Sequence, residues 1–207
     1  MIDASEALRL LREGNRRFVA GDSQLMGVGA ARRQELVGGQ EPLAVVLGCS
    51  DSRVPVELVF DRGPGDLFVI RVAGNIVAPS LVGSVEFAAE VFGTRLVVVL
   101  GHSDCGAVGA TLDVLGQGGE IGSPNLRSIT DRIRPAVEDL VAAHAEADRE
   151  TLLSRAVRAN VRASADRLRR GSGILERLIE ADGLVVVGAV YSLESGEVDF
   201  FDGVEQD

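Results

Sequence analysis

AVVLGCSDSR (residues 44–53) and VVVLGHSDCG (residues 97–106) align without a gap, sharing Val-Val-Leu-Gly and, one residue later, Ser-Asp. Each opens as an unbroken apolar run ending at a Gly, and a run without polar alternation suits a strand covered on both faces. Residues 66–72 and 184–191 carry the same signature, and residues 198–201 form a shorter closing strand. Between these runs lie helical patterns: a turn at 55–60, a helix at 79–92 with Pro at its start, and a helix from about residue 106 to 115. A Gly-rich loop at 116–123 leads into a long charged helical region at 124–182, broken near Gly171 and Gly173. Strands alternating with helices predict an α/β fold with a central, mostly parallel sheet flanked by helices.

Ahead of the first strand, Ser5 is placed to cap a helix. Leu8, Leu11 and Phe18 follow at roughly helical spacing among Arg9, Arg12, Arg16 and Arg17. Residues 1–37 therefore read as an amphipathic helical arm with a second short helix at 30–37. Such an arm folds back on its own domain or lies on a partner subunit. The 207 residues fit one domain spanning the chain.

The two aligned segments differ where chemistry is expected. After the shared Gly, the first has Cys49 and the second His102, both metal-ligand types. If the two strands are parallel neighbours, both loops leave the carboxyl edge of the sheet, where open α/β sheets place ligands. Cys49 and His102 then meet despite the 52 residues between them, and Cys105 falls on the first turn of the following helix. Cys, His and Cys form a three-ligand zinc set with one coordination position open, as in catalytic zinc sites, and thiolate and imidazole suit zinc better than magnesium or calcium. A lone buried Cys is usually an inert packing residue. Here both Cys of the chain stand in matched loops, and that joint placement carries the ligand reading.

Asp51 and Arg53 follow Cys49 at alternate positions. A guanidinium holds a carboxylate in two-pronged fashion and keeps it ionised. Asp51 is thereby suited to accept the proton of zinc-bound water, or to turn onto the metal as a fourth ligand and close the site. An Asp turn capping the next helix is the structural alternative.

Composition narrows the function classes. Net charge is −10 with 46% hydrophobic and 25% charged residues, an acidic soluble protein for which nucleic acid and anionic membrane are poor partners. All 21 basic residues are Arg, and the absence of Lys removes Schiff-base chemistry, a pyridoxal-phosphate lysine and a Walker-type phosphate loop. Gly27-Val28-Gly29 follows no strand and lacks the third glycine of a dinucleotide fingerprint. The first residues show no signal-peptide pattern, and the apolar runs at 43–49 and 184–191 fall far short of a membrane span. A cytoplasmic location is expected, where a structural disulfide would be unusual.

Cys49-Ser50-Asp51-Ser52-Arg53 and His102-Ser103-Asp104-Cys105 resemble the paired signatures of the β-class carbonic anhydrases, Cys-x-Asp-x-Arg and His-x-x-Cys. The roughly fifty-residue gap and the order of elements extend the resemblance over most of the chain. It implies a four- or five-stranded sheet, one zinc ion per subunit, and a homodimer or higher even oligomer with the active site at the subunit interface. It also implies reversible hydration of carbon dioxide to bicarbonate by zinc-bound hydroxide. Position by position, Gln40 falls where many members place a substrate-binding amide. Phe68 and Phe87 fall at apolar wall positions open to contribution from the neighbouring subunit, Phe87 standing where Tyr is often seen. The backbone N–H of Gly106, at a helix start, is a donor to a bound anion. Val46 replaces the Trp of members with a regulatory bicarbonate pocket, although Arg71 is present where they use an Arg. His144, near Glu146 and Asp148, reads as a solvated surface residue.

Three alternatives stand beside this expectation. One is a zinc hydrolase of carbonyl sulfide or carbon disulfide with the same ligands. Another is a non-catalytic protein whose zinc site Asp51 closes permanently. The third is a thiol redox protein pairing Cys49 with Cys105, which lacks the Cys-x-x-Cys spacing of that class.

Overall fold

The structure is a computed structural model describing residues 2–25, 29–117, 122–144 and 147–204. Gly27, Glu146 and residues 118–121 of the Gly-rich loop lie outside the described residues. The chain runs α1 (Ala4–Ala20), α2 (Ala30–Leu36), β1 (Ala44–Gly48), α3 (Val56–Val59), β2 (Leu67–Arg71), a 3-10 turn (Ala73–Asn75), α4 (Pro79–Val91), β3 (Leu96–His102), α5 (Gly106–Gln117), α6 (Pro124–Ala143), α7 (Arg149–Arg170), α8 (Gly173–Ala181), β4 (Val185–Tyr191) and β5 (Val198–Asp202). The sheet has five strands in the order β2-β1-β3-β4-β5, parallel except for β5, which returns antiparallel to β4.

Every residue of β1 and β3 is buried, as their unbroken apolar runs require. Val46, Val98 and Leu100 point to the face covered by Ala7 and Leu11 of α1. Val45, Leu47, Val97 and Val99 point to the opposite face, under Val85 and Ala88 of α4 and Val161 and Leu168 of α7. A third cluster lies around the carboxyl edge, where Cys49 and Cys105 pack with Val108 of α5, Ile133 of α6 and Val157 of α7.

The sequence similarity of the two segments does not carry over to their register. Val46 lies beside Val98 and Gly48 beside Leu100, one residue off the alignment. Because successive residues of a strand face opposite ways, aligned residues such as Val46 and Val99 point into different cores. The stagger also leaves His102 inside β3, beside Tyr191 of β4, while Cys49 lies just past the end of β1.

Two local expectations are corrected. The cap of α1 is Asp3, not Ser5: its Oδ1 accepts from Glu6 N–H at 2.8 Å and from the Ser5 hydroxyl at 2.7 Å. A carboxylate two residues upstream takes the N-terminal donors and leaves Ser5 in the first turn. The region 124–182 also breaks between α6 and α7, where Asp148 accepts from Thr151 N–H at 2.9 Å and starts α7.

The arm helix α1 lies on its own domain. Asn15 fixes it there, donating from Nδ2 to the carbonyls of Val59 (3.1 Å) and Gly196 (2.9 Å) while its Oδ1 accepts from Val198 N–H (2.9 Å). Among the described residues, no helix is long and apolar enough to cross a membrane.

Candidate metal centre

With β1 and β3 adjacent and parallel, the loops after them converge. One donor atom each from Cys49, His102 and Cys105 lies within 4.8 Å of the others, and all three residues are buried. His102 is fully buried, and its Nδ1 lies 2.8 Å from the Ser103 carbonyl. That contact assigns the ring proton to Nδ1 and leaves Nε2 as a bare lone pair. Nε2 has no hydrogen-bond partner. A buried nitrogen without a partner costs free energy unless something occupies it, and here it belongs to the same cluster as two sulfurs. Two thiols and an imidazole with its far nitrogen pinned are the donor set of zinc, so the residues present fit that ion.

The sulfurs interact strongly. A hydrogen bond from the Cys105 thiol holds the Cys49 thiol well below its ordinary range, with further help from the N–H groups of Asp51 and Gly74. The same bond, together with burial, pushes Cys105 up, against the N–H groups of Val108 and Ala107 at the start of α5. A cation offsetting both charges would let both ionise.

Asp51 is held by Arg53 in a forked pair. Nε donates to Oδ1 at 3.0 Å, Nη2 to Oδ2 at 2.8 Å, and the Arg53 backbone N–H to Oδ1 at 2.9 Å. These bonds keep the Asp51 carboxyl far below the usual carboxylate range. Asp51 Oδ2 is nonetheless only 3.9 Å from His102 Nε2, at the margin of the cluster. Arg71 fastens the loop from behind, donating to the carbonyls of Cys49 (2.9 Å) and Asp51 (2.6 Å).

The carbonic anhydrase family profile matches residues 44–198. The chain belongs to the β-carbonic anhydrase family. A carbonic anhydrase 2 of Mycobacterium tuberculosis is 40% identical over 191 residues, covering 92% of this chain and 89% of that protein. A carbonic anhydrase of Mycolicibacterium smegmatis is 38% identical over 193 residues, covering 93% and 91%. The crystal structure of a β-carbonic anhydrase of Aspergillus fumigatus superposes with a TM-score of 0.76 at 28% identity, covering 98% of this chain and 92% of that one.

Not every residue expected at a carbonic anhydrase site lies beside the cluster in one subunit. Gly106 begins α5 directly after Cys105. Gln40 instead precedes β1, at the amino edge of the sheet, so roughly 15 Å of strand separates it from the Cys49 loop. It lines a cavity of about 410 Å³ with Leu36, Val37 and Phe92. Phe68 of β2, Phe87 of α4 and Phe92 meet in tilted and edge-on contacts, ring centroids 5.5–6.4 Å apart, on a surface where Phe87 is 51% exposed. Gly74 and Asn160 were not legible as site residues: the Gly74 N–H donates to Cys49 Sγ at 3.3 Å, and Asn160 of α7 donates to the Gly74 carbonyl at 2.8 Å. Neither stands in a ligand-like motif.

Proposed function

We propose that this chain catalyses reversible hydration of carbon dioxide to bicarbonate and a proton, with one zinc ion per subunit held by Cys49, His102 and Cys105. The observation that carries the reading is the buried His102 imidazole, its Nδ1 committed to Ser103 and its Nε2 bare among two thiols. The relatives named carbonic anhydrase support the same reaction. Zinc, when bound, supplies the Lewis acidity that ionises water near neutral pH, an effect of which carbonic anhydrase is itself the standard example.

Asp51 stays ionised and accepts the hydrogen of the attacking water at Oδ2, which orients the water oxygen toward carbon dioxide. Arg53 keeps that carboxylate turned to the side, which favours this reading over a closed site with Asp51 as fourth ligand. The Gly106 N–H, at the positive end of α5, donates to an oxygen of bicarbonate. Gln40, Phe68 and Phe87 serve the site of the adjoining subunit in a homodimer or higher even oligomer, the phenyl rings as an apolar wall and the amide as a donor to the product. A cytoplasmic location suits two cysteines that are both free thiols.

Elemental analysis together with a stopped-flow hydration assay tests the proposal. One zinc per chain and rapid hydration are expected, with both lost in Cys49→Ser because a hydroxyl replaces thiolate poorly. A fully active, zinc-loaded Cys49→Ser protein overturns the ligand assignment. Carbonyl sulfide and carbon disulfide, assayed in parallel, distinguish the sulfur hydrolase: sulfide release faster than carbon dioxide hydration would reassign the substrate.

A further inference from the structure

We infer that Asn160 is a positioning residue of the metal centre, acting through Gly74 on the sulfur of Cys49. The inference rests on the reading of Cys49, His102 and Cys105 as metal ligands. Asn160 is only 2% exposed, on a buried face of α7 that also carries Ala156, Val157, Val161, Ser164 and Ala165. A polar side chain there is unfavourable unless it is bonded, and its Nδ2 donates to the Gly74 carbonyl 86 residues away at 2.8 Å. Gly74 in turn donates its own N–H to Cys49 Sγ.

The turn that makes this N–H···S bond is closed by a single backbone bond, Asn75 N–H to the Val72 carbonyl at 3.0 Å. Gly74 has φ 69° and ψ 18°, a left-handed conformation that Gly enters freely and leaves as freely. A side chain there is strained by the positive φ and crowded, since a Cβ would lie 2.9 Å from Ile133 Cδ1 and 3.1 Å from Ala107 Cβ. Glycine gains no stiffness from a side chain of its own, so Asn160 adds a second restraint to the one bond that closes the turn. By fixing the carbonyl, Asn160 fixes the rotation about Gly74 and keeps its N–H aimed at the sulfur.

Helix α7 reaches deep enough for this because the strands beneath it carry glycine. A Cβ at Gly101 of β3 would lie 2.6 Å from Val161 Cγ2, and one at Gly188 of β4 would lie 2.8 Å from Val161 Cγ1. The neighbouring Asn160 is lowered by the same close approach. An N–H donated to a thiolate disperses its charge and fixes its lone pairs, and losing such an outer partner typically costs 10–100-fold in metal affinity.

The test uses the zinc-loaded full chain, after metal content has been measured. In Asn160→Leu, zinc release into a chromophoric chelator is expected to accelerate about tenfold or more. Asn160→Ser, polar but too short to reach Gly74, is expected to do the same and serves if the Leu variant fails to fold. In the cadmium-113 form of the unaltered protein, scalar coupling between the metal and the Gly74 amide proton through Sγ is expected, and both variants should lose it. Ser164→Ala removes a buried hydroxyl one turn along α7 without touching Gly74 and should change neither readout. Unchanged release in the folded Asn160 variants, matching acceleration by Ser164→Ala, or no coupling in the unaltered protein overturns the inference. An unaltered protein that holds no zinc overturns the ligand reading itself, and the inference with it.

Discussion

Arg53 shows how much one side chain settles at this site. Two of the three hydrogen bonds on Asp51 come from its guanidinium, and only the backbone N–H bond survives Arg53→Ala. The freed carboxylate lies 3.9 Å from His102 Nε2 and can rotate toward the ligands. Misplacing a catalytic group by an ångström costs on the order of 100-fold in rate, so Arg53→Ala is expected to hydrate carbon dioxide about 100-fold more slowly while keeping its zinc. Arg53→Lys should recover only part of this loss, since an ammonium cannot grip both oxygens. Stopped-flow rates beside metal content check both, and an unchanged rate would remove Asp51 from the mechanism. These residues were legible because each motif is local: Cys49, Asp51 and Arg53 share one loop, and His102 and Cys105 share another. Asn160 was not, because nothing within its own helix marks a buried Asn as the partner of a turn 86 residues away.

At the scale of elements, two buried polar residues add to the packing of Ala7 and Leu11 in fastening α1 to the domain. Asn15→Ala would leave the Val59 and Gly196 carbonyls and the Val198 N–H without their partner. Stranding buried groups of this kind costs about 3 kcal/mol, read by urea unfolding, with faster amide exchange confined to α1 and its contacts. The second residue is Asp61, whose side chain is fully buried against Arg17. Burial alone would raise its carboxyl, but bonds from the Ser23 hydroxyl, the Arg17 guanidinium and the Gln24 N–H prevail and hold it below its ordinary value. A carboxyl lowered on folding stabilises the protein above its unfolded value of about 3.9, and the contribution fades as pH falls through the lower folded value. Asp61→Asn should therefore cost about 2 kcal/mol at neutral pH, and its gap from the unaltered chain should close as pH drops below about 4. The elements themselves were legible from unbroken apolar runs and Pro or Gly boundaries. The cap of α1 and the break before α7 were not, since both turn on which of several neighbouring Asp and Ser side chains reaches a free N–H.

For the whole molecule, the decisive fact is that the expected residues divide between two ends of one strand. The Cys49 loop leaves the carboxyl end of β1, whereas Gln40 stands before its amino end, beside a surface where Val37, Phe87 and Val91 are 78%, 51% and 60% exposed. The sequence placed Gln40 nine residues before Cys49 and so looked close, but an extended strand converts that spacing into distance. On the proposed role, Gln40 reaches substrate in a second copy, with the exposed aromatic face as the contact. Phe87→Glu should then shift sedimentation from an even oligomer toward the 21.8 kDa chain and lower the hydration rate with it. Mixing two inactive variants gives the sharper test. Cys49→Ser keeps Gln40 but loses its metal, and Gln40→Ala keeps the metal but loses the amide. If Gln40 acts across the interface, dissociating and reassociating equal amounts puts one complete site in each mixed dimer, returning about a quarter of the unaltered activity. If Gln40 acts within its own chain, no mixed dimer holds a complete site, and mixing restores nothing.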